Sequence, residues 1–196
     1  MPAEAVVATL RQAWYVLGEL HIPSALMGGL ALTHWGYIRA TQDVDLLIAL
    51  TGFRPSELLA RLAAAGYRSK RRNPLIRLED AEFIQLFHVP HGEVIEVQID
   101  LLLAESPFHR QAIERRVKLP NSVLGFQVDV VSCEDLIVLK LIAGRILDRV
   151  DASELMKANR DGLDLAYLTS WIHRLRLHRP FSEAWDDAFP GTTPPD

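Results

Sequence analysis

Apolar positions at helical spacing open the chain. Val6, Leu10, Trp14 and Leu17 form one stripe with Pro23 just beyond, which predicts an amphipathic helix over residues 3–20. Ser24 to Met27 is a short apolar run ending in Gly28-Gly29, and Leu30 to Trp35 has the residue types of a short helix stopped by Gly36. Strand, tight turn and helix follow from that order. Asp43 to Leu50 carries Val44, Leu46, Leu47 and Ile48 in a run too short for most helices and bounded by Gly52, so it reads as a buried strand. Pro55 and Gly66 frame a helix bearing Leu58, Leu59 and Leu62. Phe83 to Val89 and Val94 to Leu103 alternate as two strands joined at Pro90-His91-Gly92, a hairpin that makes the sheet mixed.

Beyond Pro107 a short helix through Arg116 and an extended stretch over Phe126–Val131 are expected, then a helix opening at Ser132 with Asp135 three residues on. From there to about Leu177 the pattern is helical, with a break near Gly162 and a last amphipathic stretch carrying Leu168, Trp171, Ile172 and Leu175. The fold class is therefore α+β: a mixed-sheet core with flanking helices over residues 1–131 and a helical C-terminal lobe over 132–189. Residues 190–196 are Pro, Gly and Thr with almost nothing to bury, and are expected to be disordered.

Composition narrows this picture modestly. With 49% hydrophobic residues in 196, the chain can bury a substantial core; a net charge of −4 does not suggest a protein wholly devoted to coating nucleic acid, and leaves room for a local basic patch that binds a polyanion. Cys133 is the single cysteine, so no intramolecular disulfide can form, which favours a cytoplasmic setting. The N-terminus lacks a secretory leader pattern. The longest apolar stretches, 44–50 and 136–143, fall far short of the roughly 20 residues of a spanning helix, so no membrane segment is expected.

The candidate chemistry lies in the polar residues that interrupt these runs. Asp43 and Asp45 stand two apart in a predicted strand, so both carboxylates leave the same face. Two such charges about 5 Å apart repel by roughly 3 kcal/mol at an effective dielectric near 20, and a hard divalent cation, Mg²⁺ or Mn²⁺, would offset that. Asp100 lies in the strand from Val94 to Leu103 and completes a three-carboxylate site if the two strands are neighbours; Glu96 and Gln98 share its face. Gly28-Gly29, about fourteen residues before the Asp pair, offers backbone N–H groups to a phosphate. Lys140 is the single cation in an apolar helical stretch and calls for an anionic partner, either a triphosphate or a carboxylate. Arg145 and Asp148 have the spacing of a helix-surface ion pair.

Met27-Gly28-Gly29 followed by Gly36-Tyr37-Ile38-Arg39-Ala40-Thr41-Gln42-Asp43-Val44-Asp45-Leu46 resembles the signature of the DNA polymerase beta-like nucleotidyltransferases. Arg-x-Thr-x-Asp-x-Asp-Leu, with the later Glu134 to Leu141 and with Arg145 and Asp148, is similar to the AbiEii-like and MenT-like toxin enzymes. The resemblance spans roughly residues 25–170. It implies transfer of a nucleotide from an NTP, in many members as the toxin of a toxin–antitoxin pair, with tRNA or a protein as acceptor and a cognate antitoxin as partner. It also implies that Gly28 and Gly29 hold phosphates, that Asp43, Asp45 and Asp100 bind metal, and that Lys140 contacts the nucleotide. Arg39 and Thr41 fill the remaining nucleotide-binding motif positions.

Structural readings stand beside these. An Asp pair can be a solvated strand edge, a Gly pair only a turn, and the seven histidines, His88 and His91 among them, are scattered without metal-ligand spacing. Cys133 reads as a small buried residue. The basic cluster Arg68, Lys70, Arg71, Arg72 and Arg77 is either a solvated loop or a patch for a polynucleotide acceptor. Two rival functions follow: a non-catalytic antitoxin or RNA-binding module of the same fold, and an aminoglycoside-type nucleotidyltransferase with a small-molecule acceptor.

Overall fold

A computed structural model describes residues 4–78, 81–119 and 124–195. The predicted helix start at residue 3 and the final tail residue lie outside them. The chain divides into two compact units, Met1–Leu30 with Ala40–Val130 and Ala31–Arg39 with Val131–Asp196.

The first unit is built on a mixed sheet with seven strands among the described residues: β1 (Ser24–Met27), β2 (Asp43–Ile48), β3 (Leu75–Arg77), β4 (Glu82–His88), β5 (Val97–Leu103), β6 (Val117–Leu119) and β7 (Val128–Val130). Their order is β3-β4-β5-β2-β1-β7-β6. β2 runs antiparallel to β1 and parallel to β5, and β4 and β5 form the expected antiparallel pair. Burial alternates along β4 and β5, so one face is sealed through Ile84, Leu86, His88, Val97, Ile99 and Leu101, while Gln85, Phe87, Gln98 and Asp100 on the other are only partly covered. Helix α1 (Glu4–Glu19) covers the sealed face. Its Thr9 Oγ1 lies 3.1 Å from Nδ1 of buried His88, whose ring stacks on Tyr67 at 4.4 Å, and Tyr67 Oη donates to the Thr9 carbonyl. Burial keeps the His88 imidazole below its ordinary pKa; the residue is structural. Helices α3 (Pro55–Ala64) and α4 (Pro107–Glu114) complete this unit, and α4 is capped by Ser106, whose Oγ accepts from the His109 N–H.

Helix α2 (Gly28–His34) leads out of β1. The second unit contains α5 (Cys133–Ala143), α6 (Ile146–Ala158), α7 (Leu165–Arg174) and α8 (His178–Ala188). Ser132 caps α5 as its sequence predicts, accepting from the Asp135 N–H. Leu136, Ile137, Leu155, Met156, Leu168, Trp171, Ile172 and Phe181 form the helical core. Residues 31–39 belong here because Trp35 Nε1 donates to the Val131 carbonyl and Asn159 Nδ2 to the Trp35 carbonyl. No helix among the described residues is long and apolar enough to cross a membrane.

Four details differ from the sequence reading. β5 starts at Val97, since Val94 and Ile95 are 95% and 56% exposed. The three-residue strands β3 and β6 were not expected, and α8, inside the expected helical lobe, lies past the helical pattern read to about Leu177. The long helical run breaks at Gly144, which sits at φ 66 as a left-handed C-cap and divides α5 from α6. In the tail, Trp185 Nε1 donates to Thr192 Oγ1 and the Thr192 N–H to the Phe189 carbonyl, so residues 189–192 form a turn where disorder was expected.

Candidate active site

β1 ends against β2 with Met27 opposite Asp45, and the chain then turns at Gly28 with φ +64. A Cβ on Gly28 would fall 1.8 Å from Asp45 Oδ2, and one on Gly29 would fall 2.6 Å from the Thr41 Cβ. The Gly pair is therefore required by close approach: backbone lies directly against the Asp45 carboxylate and the Thr41 side chain, where any other residue would clash.

Asp43 and Asp45 leave the partly covered face of β2 together, as the period of two demands. The parallel register sets Asp43 opposite Gln98 and Asp45 opposite Asp100, while β4 sets Gln85 opposite Asp100 and Phe87 opposite Gln98. Two polar rows thus cross the same face. Thr41 Oγ1 donates to Asp43 Oδ1 at 2.6 Å. Gln98 Nε2 donates to Asp100 Oδ2 at 2.8 Å and Gln85 Nε2 to Oδ1 at 3.3 Å. Burial lifts the Asp100 pKa above the ordinary carboxylate value; the two glutamine donors oppose this and the charge of Asp43 adds to it.

As placed, no three His, Cys, Asp or Glu groups among the described residues converge at metal distance. The oxygens of Asp43 and Asp100 engage neutral donors along the sheet. The residues nevertheless fit a hard divalent cation: three carboxylates share one face of adjoining strands, and the side chains bonded to Asp43 and Asp100 are the neutral oxygen-bearing Thr41, Gln85 and Gln98. The Thr41 bond is the support easiest to remove. Thr41→Val keeps the shape beside Gly29 but deletes the donor; with about 1.5–3 kcal/mol for a hydrogen bond to a charged group, kcat is expected to fall roughly tenfold or more, with a melting temperature lowered by no more than about 10 °C. Steady-state kinetics beside a thermal melt checks it.

The other predicted site residues lie in the second unit. Lys140 is 7% exposed, with Nζ 3.2 Å from Asp148 Oδ1 and 2.8 Å from Asp151 Oδ2, both carboxylates being 2% exposed. Its anionic partner within this unit is thus a pair of carboxylates. Arg145 grips Asp148 through Nε at 2.5 Å and Nη2 at 3.1 Å, so the expected surface pair is half buried. Arg39 Nε faces Asp151 Oδ1 at 3.5 Å. Burial alone would raise the Asp148 pKa, but Arg145 and Lys140 outweigh it and hold it below the ordinary value. Asp151 escaped the sequence reading; its signal was the three-residue spacing from Asp148, which puts both carboxylates on one helix face towards the lone lysine. Burial pushes the Cys133 thiol up to about 12, so it is no nucleophile.

The AbiEii family, described as a nucleotidyl transferase toxin of a type IV TA system, matches residues 12–192. JHP933 from Helicobacter pylori is similar in fold at a TM-score of 0.54 and 16% identity over 89% of this chain and 75% of that one. An antigenic nucleotidyltransferase-like protein from Paracoccidioides brasiliensis aligns at a TM-score of 0.52 and 18% identity over 93% of both chains. ANT(2″)-Ia, in complex with adenylyl-2″-tobramycin, aligns at 0.56 and 17% over 88% of this chain and 97% of that one. At these identities the likeness is one of fold. No curated protein sequence matches the chain.

Proposed function

Because the chain belongs to the AbiEii nucleotidyl transferase toxin family, we propose that it is the toxin of a toxin–antitoxin pair, acting in the cytoplasm and moving a nucleotide from an NTP to a hydroxyl of tRNA or a protein. The observation that carries this reading is the contact of the Gly28-Gly29 turn with Asp45, itself in register with Asp100. A phosphate binder and a carboxylate set meet at one point of the sheet.

In this mechanism the backbone N–H groups of the turn bind the triphosphate, and Asp43, Asp45 and Asp100 would hold Mg²⁺ or Mn²⁺. The cation, when bound, would screen the phosphates and favour ionisation of the acceptor hydroxyl. Thr41 fixes Asp43, and Gln85 and Gln98 fix Asp100. Arg39, with a side chain 34% exposed and its Nε 3.5 Å from Asp151, would have to leave that carboxylate to serve a phosphate. Lys140, enclosed by Asp148 and Asp151, reaches a nucleotide only by giving one of them up. The acceptor oxygen forms a bond to the α-phosphorus, the bond to pyrophosphate breaks, and the hydroxyl proton passes to solvent; no protein nucleophile takes part.

The test incubates the protein with each α-labelled NTP, Mg²⁺ or Mn²⁺, and total tRNA, a protein extract or an aminoglycoside. Metal-dependent label in RNA or protein is expected. Label in the aminoglycoside alone would favour the small-molecule reading, and none anywhere the non-catalytic one.

A further inference from the structure

The carboxylate face extends past the site. At the level of Asp43 the strand registers continue through Gln98 and Phe87 to Arg68, whose N–H and carbonyl both exchange 2.8 Å hydrogen bonds with Phe87. Directly paired residues share a face of the sheet, so Asp43, Gln98, Phe87 and Arg68 form one row on one face, with Arg68 three strand spacings, roughly 14 Å, from Asp43. Lys70 closes over this row, its ammonium 3.9 Å from the Phe87 ring centroid and paired with Glu96. Arg71 and Arg72 follow in the chain. All four cations are exposed, and Arg68, Arg71 and Arg72 pair with no carboxylate among the described residues.

The side on which this patch lies decides its use. Attack at the α-phosphate needs the entering hydroxyl in line with the departing pyrophosphate. A triphosphate bound on the Gly28-Gly29 side of β2 would put the entering hydroxyl on the β5 side, with the body of its molecule over β4, where Gln98, Phe87 and the basic segment would meet it. We propose that this row and the basic segment form the acceptor subsite and take the 3′-terminal stretch of a single-stranded RNA, whose backbone phosphates Arg68, Lys70, Arg71 and Arg72 neutralise. The proposal rests on the nucleotidyl-transfer reading above and narrows its acceptor to a polyanion; a polycationic aminoglycoside would meet repulsion along the same row. Phe87 has a positioning part, holding the Lys70 ammonium over the sheet.

The experiment uses the full chain, α-labelled NTP, and a synthetic single-stranded RNA with a free 3′-hydroxyl alongside total tRNA. It compares the wild type with Arg71→Glu/Arg72→Glu and with Phe87→Leu, and thermal melts verify folding. For the double variant KM for RNA is expected to rise about tenfold or more at low salt, with the gap closing as salt rises, because lost phosphate contacts flatten the salt dependence. KM for NTP should stay within about twofold of wild type. Phe87→Leu should weaken RNA by a smaller factor in the same sense. Anisotropy of a fluorescently labelled RNA without NTP should follow the same ranking. Wild-type transfer to RNA with KM unchanged in both folded variants overturns the subsite while leaving nucleotidyl transfer intact. Label entering only protein or an aminoglycoside overturns the RNA acceptor. No transfer to any acceptor overturns the proposed function and the subsite with it.

Discussion

Replacing Asp43 by Asn is expected to reduce nucleotide transfer about a thousandfold, roughly 4 kcal/mol of barrier, while the protein melts at or slightly above the wild-type temperature. Asn preserves the shape of the side chain and can still accept the Thr41 hydrogen bond through its amide oxygen, so the strand end and the loop before it keep their arrangement. Only the charge disappears. Burial is the main cause of the raised Asp100 pKa and the Asp43 charge adds to it, so removing that charge relieves a repulsion. Asp45→Asn should behave alike in activity, since its carboxylate lies against Gly28 and in register with Asp100. The opposite signs of the two effects are the signature of a site whose charges are kept for chemistry rather than stability. A label-transfer assay at saturating Mg²⁺ with a parallel thermal melt reads both. Full activity in the folded Asp43→Asn protein would exclude the carboxylate pair from the reaction, and a large drop in melting temperature would make the pair structural.

Much of this site was legible because its signals are local. Alternation placed Asp43 and Asp45 on one face, and the run lengths around Gly28-Gly29 gave strand, turn and helix without further information. Whether Asp100 stood beside them depended on strand order, which periodicity cannot supply; the parallel pairing of β2 with β5 answered it. Gln85 was invisible for the same reason, and Gln98, read only as sharing the Asp100 face, had no role until the Asp100 oxygen it reaches along its own strand was seen. Val94 and Ile95 misled because an apolar residue was taken as strand where no partner pairs with it. Helix α8 falls inside the lobe expected over 132–189, but the helical pattern was followed only to about Leu177, because Pro180 stands in its first turn and only Phe181, Ala184 and Ala188 are buried. The attachment of residues 31–39 to the helical unit rests on bonds from Trp35 and Asn159 that no local pattern announces.

Lys140→Met is expected to cost about 3–5 kcal/mol of stability, because it leaves the buried carboxylates Asp148 and Asp151 without the cation that bridges them. For a chain of this size that is a fall in melting temperature on the order of 10 °C. Arg145 and Arg39 soften the loss without removing it: Arg145 keeps its grip on Asp148, but Arg39 faces Asp151 at 3.5 Å without a hydrogen bond from its Nε. Adding Asp151→Asn to Lys140→Met should recover part of the loss, since it removes the carboxylate left most exposed to the deletion. The pH dependence has a defined sign. The folded-state pKa of Asp148 is depressed, so its contribution is fully present above the unfolded carboxylate value near 3.9 and disappears as pH falls through the lower folded value. Wild type should therefore lose this contribution only in acid, and Lys140→Met, whose Asp148 is less depressed, should lose it at a higher pH. Melts of the three proteins between pH 7 and pH 3, paired with KM for NTP at pH 7, separate the two tasks open to this lysine. A variant that melts with the wild type while KM for NTP rises would assign Lys140 to the nucleotide; the expected loss of stability, partly restored by Asp151→Asn, assigns it first to the helices.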